Sequence, residues 1–359
     1  MTVRTVHVAK SDLTAAQIVD NPPGPLADGA LRLRVETFAV TANNVTYALF
    51  GEQMAYWNFF PAPEGFGIVP MWGHAVVEAS NVDGIAAGER VYGYLPMGTH
   101  LDVLPGKVSR GGFTDMAPHR QPMSPIYNQY SRLAADPEHA PDKEAERMIF
   151  GPLFKTGFLI ESFMRREGWF GAQALIMTSA SSKTAMGLAS VARARSPEIE
   201  RVGLTSAANA NFVADSGMYD RVLAYEDIGE LPDVPSVSVD FAGNAAVLRA
   251  VHERLGARLA YSCLVGATHV DARGGGASSP LPGPAPILFF APDHAVAAIA
   301  ELGPRGFGDA IAESWATFLH DIGDTLAVDE RAGLASAAAA FVETFMGSAD
   351  PAKGIVIRP

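Results

Sequence analysis

One cysteine, Cys263, stands in a chain of 359 residues. A lone thiol excludes a disulfide framework and a cysteine-built zinc site. Its place inside the apolar run from Leu259 to Val265 reads as a small core residue. Charge is scarce as well. Charged residues are 18% of the chain, and 39 acids against 27 bases leave a formal net charge of -12. A sequence-independent nucleic-acid binder needs a basic face, so nucleic acid is not expected as a partner. No stretch reaches the ~18 consecutive apolar residues that a membrane span needs. The segment from Met1 to Lys10 is polar and lacks an apolar core followed by a cleavage site, so it does not read as a secretory signal. A cytoplasmic protein without membrane contact is the expectation. No internal repeat is visible. Apolar residues are plentiful at 48%, enough to bury a sizeable core, and the length suggests two domains.

The first third reads as β. Apolar and polar residues nearly alternate from Leu31 to Val40, the pattern of a half-buried strand. Thr41 to Tyr47 is polar with one aromatic. Tyr56, Trp57, Phe59 and Phe60 follow together. Such a group serves either as core or lid packing, or as the wall of a substrate pocket. Gly73 to Ala79 and Val82 to Tyr94 read as two strands joined by a glycine-containing turn. Short strands without a helical period predict a small β-barrel over about residues 28–118. Pro96 to Gly112 reads as a loop, and Asp136 to Lys143, with two prolines, as a linker or surface insertion.

From about Glu146 the pattern changes. Phe150 to Phe163 is apolar at helical spacing. Short apolar runs at Ala174–Met177, Val202–Ser206, Val222–Ala224, Val237–Gly243, Leu259–Val265 and Ile287–Phe290 then alternate with helical segments. Strands alternating with helices predict a parallel, doubly wound α/β sheet. Ligands of such sheets sit outside the carboxyl ends of the strands, at the switch point. Ser179–Lys183, Thr205–Ser206, Asp240–Gly243 and Gly266–Thr268 are placed there. The polar cluster after Met177 opens a helix, where unpaired N–H groups and the helix dipole favour an anion such as phosphate. Asp271 to Pro286 reads as a flexible loop. Helices are predicted around Asp309–Ile322 and Leu334–Phe345, and a closing strand at Gly354–Pro359.

Four stretches together resemble one superfamily. They are Leu33–Tyr47, Gly73-His74-Ala75-Val76-Val77 with Gly88-Glu89-Arg90-Val91-Tyr92-Gly93, Ala174–Gly187, and Gly354–Pro359. The order is similar to that of the medium-chain dehydrogenase/reductases, specifically the zinc-free quinone-oxidoreductase-like members, and within them a subgroup classed as a domain of unknown function. The resemblance implies a GroES-like β-barrel substrate domain over residues 1–145, completed by about 292–359, and a Rossmann dinucleotide-binding domain over 146–291. It implies a homodimer paired through the last Rossmann strand.

Two departures matter. Zinc-dependent members pair the His of "GHE" with cysteines. Here His74 keeps the position, Ala75 replaces the acid, and no cysteine partner exists. No metal is expected, and His74 reads as a satisfied interior histidine. The family's phosphate turn has the form "GASGGVG", its glycines letting the backbone approach a pyrophosphate. Here it is Ser179-Ala180-Ser181-Ser182-Lys183-Thr184-Ala185. Ser179, Ser181, Ser182, Lys183 and Thr184 are then candidates to grip phosphate with side chains. The end of the turn also looks like that of a P-loop, but Met177 and Ser182 occupy that motif's two glycine positions.

The cofactor implied is NADP(H). NAD readers place an acid about 20 residues beyond the turn. Thr205, Ser206 and Asn209 stand there without one. Asp240, Gly243 and Gly266 complete the cofactor candidates. Without zinc, a substrate oxygen gaining charge needs hydrogen-bond donors. Tyr47 or Lys155 is the expected donor, with Asn44 and Thr156 positioning, and with Trp57, Phe59 and Phe60 as an apolar pocket wall. The expected activity is reduction of a small hydrophobic carbonyl, enone or quinone by hydride transfer. The altered turn keeps two alternatives open. One is a binding or regulatory protein without catalysis. The other is a cofactor-independent lyase or isomerase using His74, Asp115 or His119.

Overall fold

A computed structural model describes residues 2–359 except 242, 266–279 and 324. The chain divides into two compact units, Met1–Ile149 with Ala327–Pro359, and Phe150–Leu326.

The first unit opens with β1 (Val3–Ala9) and β2 (Asp12–Asn21), an antiparallel hairpin. Neither strand was legible in the sequence. In β1 residues on both faces are buried, Thr5 and His7 as well as Val6 and Val8, while β2 is exposed almost throughout. Neither has the alternation that marks a one-sided strand. After β3 (Leu31–Val40) the polar segment forms a helix, α1 (Ala42–Leu49). Thr41 is its N-cap, and the Thr41 N–H donates to Asn44 Oδ1 at 2.7 Å, so the two residues form a capping box. Next come β4 (Phe66–Gly67), which pairs with β1, then β5 (Pro70–Ser80), β6 (Arg90–Pro96), β7 (His100–Val103), β8 (Pro105–Gly106), β9 (Gly112–Asp115) and β10 (Gln129–Arg132). Thus Pro96 to Gly112 is not simply a loop, and β-structure continues beyond residue 118 to Arg132.

Helix α2 (Glu144–Arg166) leads into the second unit, built on β11 (Ala174–Met177), α3 (Lys183–Arg195), β12 (Glu200–Thr205), α4 (Ala210–Asp215), β13 (Arg221–Ala224), β14 (Ser236–Asp240), α5 (Ala245–Leu255), β15 (Leu259–Leu264) and β16 (Ile287–Leu288). Six strands form one sheet in the order β13-β12-β11-β14-β15-β16, every pair parallel. The order reverses beside β11, which places the switch point at its carboxyl end. Helices α2 and α3 touch through two glycines. A Cβ on Gly157 would lie 2.6 Å from the Leu188 nitrogen, and one on Gly187 would lie 3.1 Å from Phe154 Cα. Only a missing side chain lets the two backbones approach this closely.

The next helix, α6, spans Ala291–Ile322, with a break at Gly303, φ 71°. It belongs to the second unit, which runs on to Leu326 rather than ending near 291. The cause is packing within that unit: Phe318 meets Phe150 edge-on, Trp315 meets Phe154, and Ser190 donates to Asp321 at 2.6 Å. The chain then returns to the first unit as β17 (Ala327–Ala332), α7 (Leu334–Phe345) and β18 (Lys353–Arg358). The sheet order there is β17-β18-β3-β5-β6-β10-β9-β8, with β7 also paired to β3. β17 reads Ala-Val-Asp-Glu-Arg-Ala and is largely exposed, so no apolar period announced it. The core of this unit gathers Val6, Leu33, Phe38, Met71, Val91 and Phe341.

Candidate functional site

In the second unit the turn after β11 and the start of α3 hold five of the eleven expected cofactor residues, Ser179, Ser181, Ser182, Lys183 and Thr184. The first of these, Ser179, has φ 47°. That is the left-handed region, which costs an L-residue about 1–2 kcal/mol and a glycine almost nothing. Ser179 therefore takes a conformation that glycine would adopt at almost no cost. The turn is strapped from the β12–β13 side. The Ser179 N–H donates to Tyr225 Oη at 3.1 Å, the Ala180 carbonyl accepts from Tyr219 Oη at 2.7 Å, and the Ala180 N–H donates to the Leu204 carbonyl at 3.0 Å. Asn209 Nδ2 donates to Ser181 Oγ at 3.3 Å, which joins two of the expected residues. Ser182 is the N-cap of α3, its Oγ accepting the Ala185 N–H at 3.2 Å. Its hydroxyl oxygen thus serves its own helix, while its proton remains available as a donor. Lys183 and Thr184 lie half-buried in the first turn of α3.

Asp240, at the end of β14, is buried and clamps the neighbouring strand ends. Oδ1 accepts from Thr178 Oγ1 at 2.5 Å, Oδ2 accepts the Gly243 N–H at 3.1 Å, and Thr178 Oγ1 in turn accepts the Phe241 N–H at 3.1 Å. Asp240 and Gly243, expected to touch cofactor, are therefore joined as a support beneath the switch point. Thr205 is buried at the end of β12, and Ser206 is half-buried beside it. Gly266 lies outside the described residues. On α2, Lys155 is half-buried, and Thr156 Oγ1 donates back to the Pro152 carbonyl at 3.3 Å, a helix-internal bond and not a free positioning group.

In the first unit an aromatic cluster forms around Tyr47: Tyr56, Phe59, Phe60, Ile68, Tyr94 and Met123 are buried together. Tyr47 Oη accepts from Asn43 Nδ2 at 2.6 Å and from Trp72 Nε1 at 3.0 Å. Tyr56 and Tyr127 share a hydroxyl contact of 3.2 Å. Burial pushes the Tyr47 phenol well above its ordinary range. Phe59 and Phe60 also line a cavity of about 350 Å³ together with Arg32, Ile68, His100 and His119. Trp57 does not join them. It is buried in the main core of the unit, wedged against Gly51 and Gly67, where a Cβ on either glycine would collide with the indole. Asn44 is also corrected. Its Nδ2 donates to the Pro70 carbonyl at 2.7 Å while its Oδ1 caps α1, so both ends of the amide hold backbone.

Sequence reading missed Trp72, Tyr94, Tyr127 and Arg120. The alternate positions Tyr92 and Tyr94 on one strand were the available signal, since side chains two apart share a face. Arg120 carried none. It is 1% exposed, donates to Asp115 Oδ2 at 2.7 Å and to Tyr130 Oη at 3.0 Å, and lies over the Phe59 and Phe60 rings. Asp115 further accepts the Leu104 and Ala117 N–H groups. It is an ion-pair partner and not a poised acid, while His119 sits exposed on the surface. His74 is fully buried, as an interior residue should be, yet neither ring nitrogen has a hydrogen-bond partner. It is interior but not satisfied. Burial lowers its pKa to about 4. Among the described residues no group of three or more His, Cys, Asp or Glu could hold a metal ion, and no helix is long and apolar enough to cross a membrane. Cys263 is buried, its thiol pushed up to about 12 by burial.

A parallel sheet of this order and a β-rich unit completed by the chain's C-terminus define the fold of the medium-chain dehydrogenase/reductases, a GroES-like unit with a Rossmann unit. Solved structures with this fold include CurA from Vibrio vulnificus in complex with NADPH, at TM-score 0.64 and 14% identity over 99% of this chain and 98% of that one. The quinone oxidoreductase from Coxiella burnetii matches at TM-score 0.56 and 11% identity, covering 100% of both chains. A mutant form of enoyl thioester reductase from Candida tropicalis matches at 0.58 and 10%, also over 100% of both. The chain itself belongs to the family described as a protein of unknown function (DUF2855), whose model matches residues 38–350. No curated protein matches it in sequence.

Proposed function

We propose that the protein is a zinc-independent, NADP(H)-dependent reductase of a hydrophobic carbonyl, enone or quinone. Ser179 carries this reading. A left-handed serine, φ 47°, opens the turn at the position where the resembled family has a glycine, and a turn at a helix N-terminus supports an anion site. Ser181, Lys183 and Thr184 would hold the phosphates there, and Thr205, Ser206 and Asn209 would face the adenosine ribose. With no acid among the last three, a 2′-phosphate is not repelled. Similarity to a protein solved with NADPH supports the same choice. Bound NADP(H) supplies the hydride.

The chain's own contribution is to bind, orient and polarise. Tyr47 is the proposed donor to the substrate oxygen, with Lys155 as the second candidate. Phe59 and Phe60 supply an apolar wall. Zinc independence rests on the residue set: Ala75 follows His74 where the zinc-dependent relatives have an acid, and Cys263 is the single cysteine. The same reading includes a cytoplasmic homodimer paired along β16, where Ile287 and Leu288 are 52% and 60% exposed on a sheet edge. One observation favours the rival, a non-catalytic binding protein: Ser182 already caps the helix that would receive phosphate.

Titrating NADPH and NADH by fluorescence separates the two. Micromolar NADPH binding, tighter than NADH, is expected. Failure of either to bind at millimolar concentration removes the reductase.

A further inference from the structure

We infer that the cavity lined by Phe59 and Phe60 is a ligand site of its own, that it takes a small neutral molecule with an apolar body and an acceptor oxygen, and that Arg32 is its polar anchor. The inference does not rest on the reductase reading. Neither Tyr47 nor Lys155 nor any residue of the cofactor turn lines this cavity, and only the two phenylalanine rings are common to both.

The anchor follows from strand register. β3 and β7 run antiparallel with Arg32 directly opposite Asp102, so the two side chains meet on one face of the sheet. Arg32 Nε donates to Asp102 Oδ1 at 2.7 Å, and Nη2 donates to Asp102 Oδ2 at 2.7 Å and to the Gly24 carbonyl at 3.0 Å. Three of the five N–H groups of the guanidinium are thereby used. The two on Nη1 have no partner among the described residues, although the side chain is only 12% exposed. Asp102 and Gly24 line the cavity beside Arg32, so this spare pair of donors is the part of the side chain left for a ligand. The other polar side chains of the wall are committed or wet. His100 Nδ1 meets Thr99 Oγ1 at 2.8 Å, Thr5 Oγ1 meets His7 Nε2 at 3.0 Å, His119 Nε2 donates to the Phe59 carbonyl at 3.3 Å, and Asn21 is exposed.

The class of ligand follows from charge and size. Arg32 and Asp102 cancel each other, so an ionised ligand would bring an unpaired charge against an apolar wall, which is costly. A neutral acceptor oxygen, as in a ketone, ester or amide, satisfies the spare N–H groups without that cost. The apolar body meets Phe59, Phe60 and Ile68. Both rings are held by residues outside the lining: the Arg120 guanidinium lies 5.4 Å and 5.3 Å from their centroids, and Phe59 meets Tyr94 edge-on at 5.1 Å. Pro22, Pro23, Pro61 and Pro96 complete the frame. Proline has a fixed φ, so the cavity is set before a ligand arrives and little ordering is lost on binding. Its volume of about 350 Å³ lies near the lower bound of small-molecule sites, ~300–1,000 Å³, a size for a small ring compound and not for a dinucleotide.

The test uses the full chain without NADPH, so nothing is turned over. Benzophenone, a neutral diaryl ketone, is the photolabel: near-ultraviolet light joins its carbonyl carbon to a nearby C–H group, and mass spectrometry of the digested protein locates the adduct. Labelling that saturates and maps to residues 59–68 or 96–102 is expected. Acetophenone should compete for it. Benzoate, benzylammonium and ethylbenzene share its ring but carry an anion, a cation or no acceptor. Each should need at least about tenfold more to compete, the scale of one hydrogen bond from a charged donor. Arg32→Leu combined with Asp102→Leu removes the pair without leaving either charge alone. The double variant should be labelled at the same place, with acetophenone no longer preferred over ethylbenzene. A thermal melt equal to the wild type establishes that it is folded, and the wild-type competition decides alone if it is not. Absent or scattered labelling of the wild type, competition by benzoate, benzylammonium or ethylbenzene equal to that by acetophenone, or the full preference for acetophenone kept in the folded double variant overturns the inference.

Discussion

Replacing His74 by leucine is expected to flatten the acid limb of stability. The imidazole is fully buried on β5, opposite Thr37 of β3 and Tyr92 of β6, with both nitrogens unpaired. Burial is the main cause of its low pKa of about 4 against an ordinary 6.5, and the nearby charges of Glu144, Arg147, Arg90 and His139 partly cancel. Between those two values the unfolded chain carries a proton that the folded one refuses. Stability is therefore complete above pH 6.5 and is lost as pH falls toward 4. At about 1.4 kcal/mol per pH unit, the wild type loses about 2 kcal/mol through this one residue between pH 8 and pH 5. His74→Leu has no proton to refuse and escapes that loss. It also removes two unsatisfied nitrogens, each costing about 1–3 kcal/mol when buried, so it should be no less stable than the wild type at pH 8. Urea midpoints for both proteins at pH 8, 6 and 5 measure the difference, and the other titrating groups largely cancel in it. Glu144 stays ionised throughout. Burial raises its pKa, but hydrogen bonds from Arg90 and His139 outweigh this and hold it at about 2. Parallel pH curves for the two proteins would refute a neutral, unpartnered His74.

Three further substitutions probe the second unit. Gly157→Ala puts a Cβ 2.6 Å from the Leu188 backbone nitrogen, where nothing flexible can give way. It should cost roughly 1–3 kcal/mol by overpacking, read as a lower melting temperature, and an unchanged melt would mean that α2 and α3 are not in backbone contact. Ser179→Gly relieves the left-handed strain at φ 47° but loosens the unfolded chain. The balance should be a gain of up to about 1 kcal/mol with NADPH affinity retained, and a loss larger than that would show the serine hydroxyl to be holding the turn. Lys183→Ala should weaken NADPH binding about tenfold, the scale of one charge-assisted phosphate contact, and equal dissociation constants by fluorescence would remove Lys183 from the site.

The second unit was more legible than the first, for a physical reason. Strands buried on both faces of a parallel sheet are short unbroken apolar runs between helical periods, so β11, β12, β14 and β15 stood out as Ala174–Met177, Val202–Ser206, Val237–Gly243 and Leu259–Val265. Gly256 ends α5, with φ 50° at the cap, as a helix-stopping glycine does. The first unit hid β1 and β2, whose burial follows neither period, and β17, whose half-buried positions are the charged Asp329 and Arg331. Residue types are visible in the sequence while their partners are not. Asn44 and Ser182 are polar residues that each hydrogen-bond a helix end, and a capping side chain and a ligand-binding side chain come from the same short list of residues. Trp57 is an aromatic at the right position whose neighbours, Gly51 and Gly67, make it core. Conversely, Trp72 and Tyr225 matter through one N–H and one hydroxyl aimed at residues 25 and 46 positions away, distances over which no local pattern operates. The glycine-poor turn shows both sides at once. The sequence shows a serine, Ser179, where the resembled family has a glycine, and only the backbone reveals that the serine adopts a left-handed conformation that glycine reaches freely. Three of the turn's amides already have partners inside the protein, the Ser179 N–H on Tyr225, the Ala180 N–H on Leu204 and the Ser182 N–H on Ser179, so an anion held here would depend on the remaining N–H groups at the start of α3.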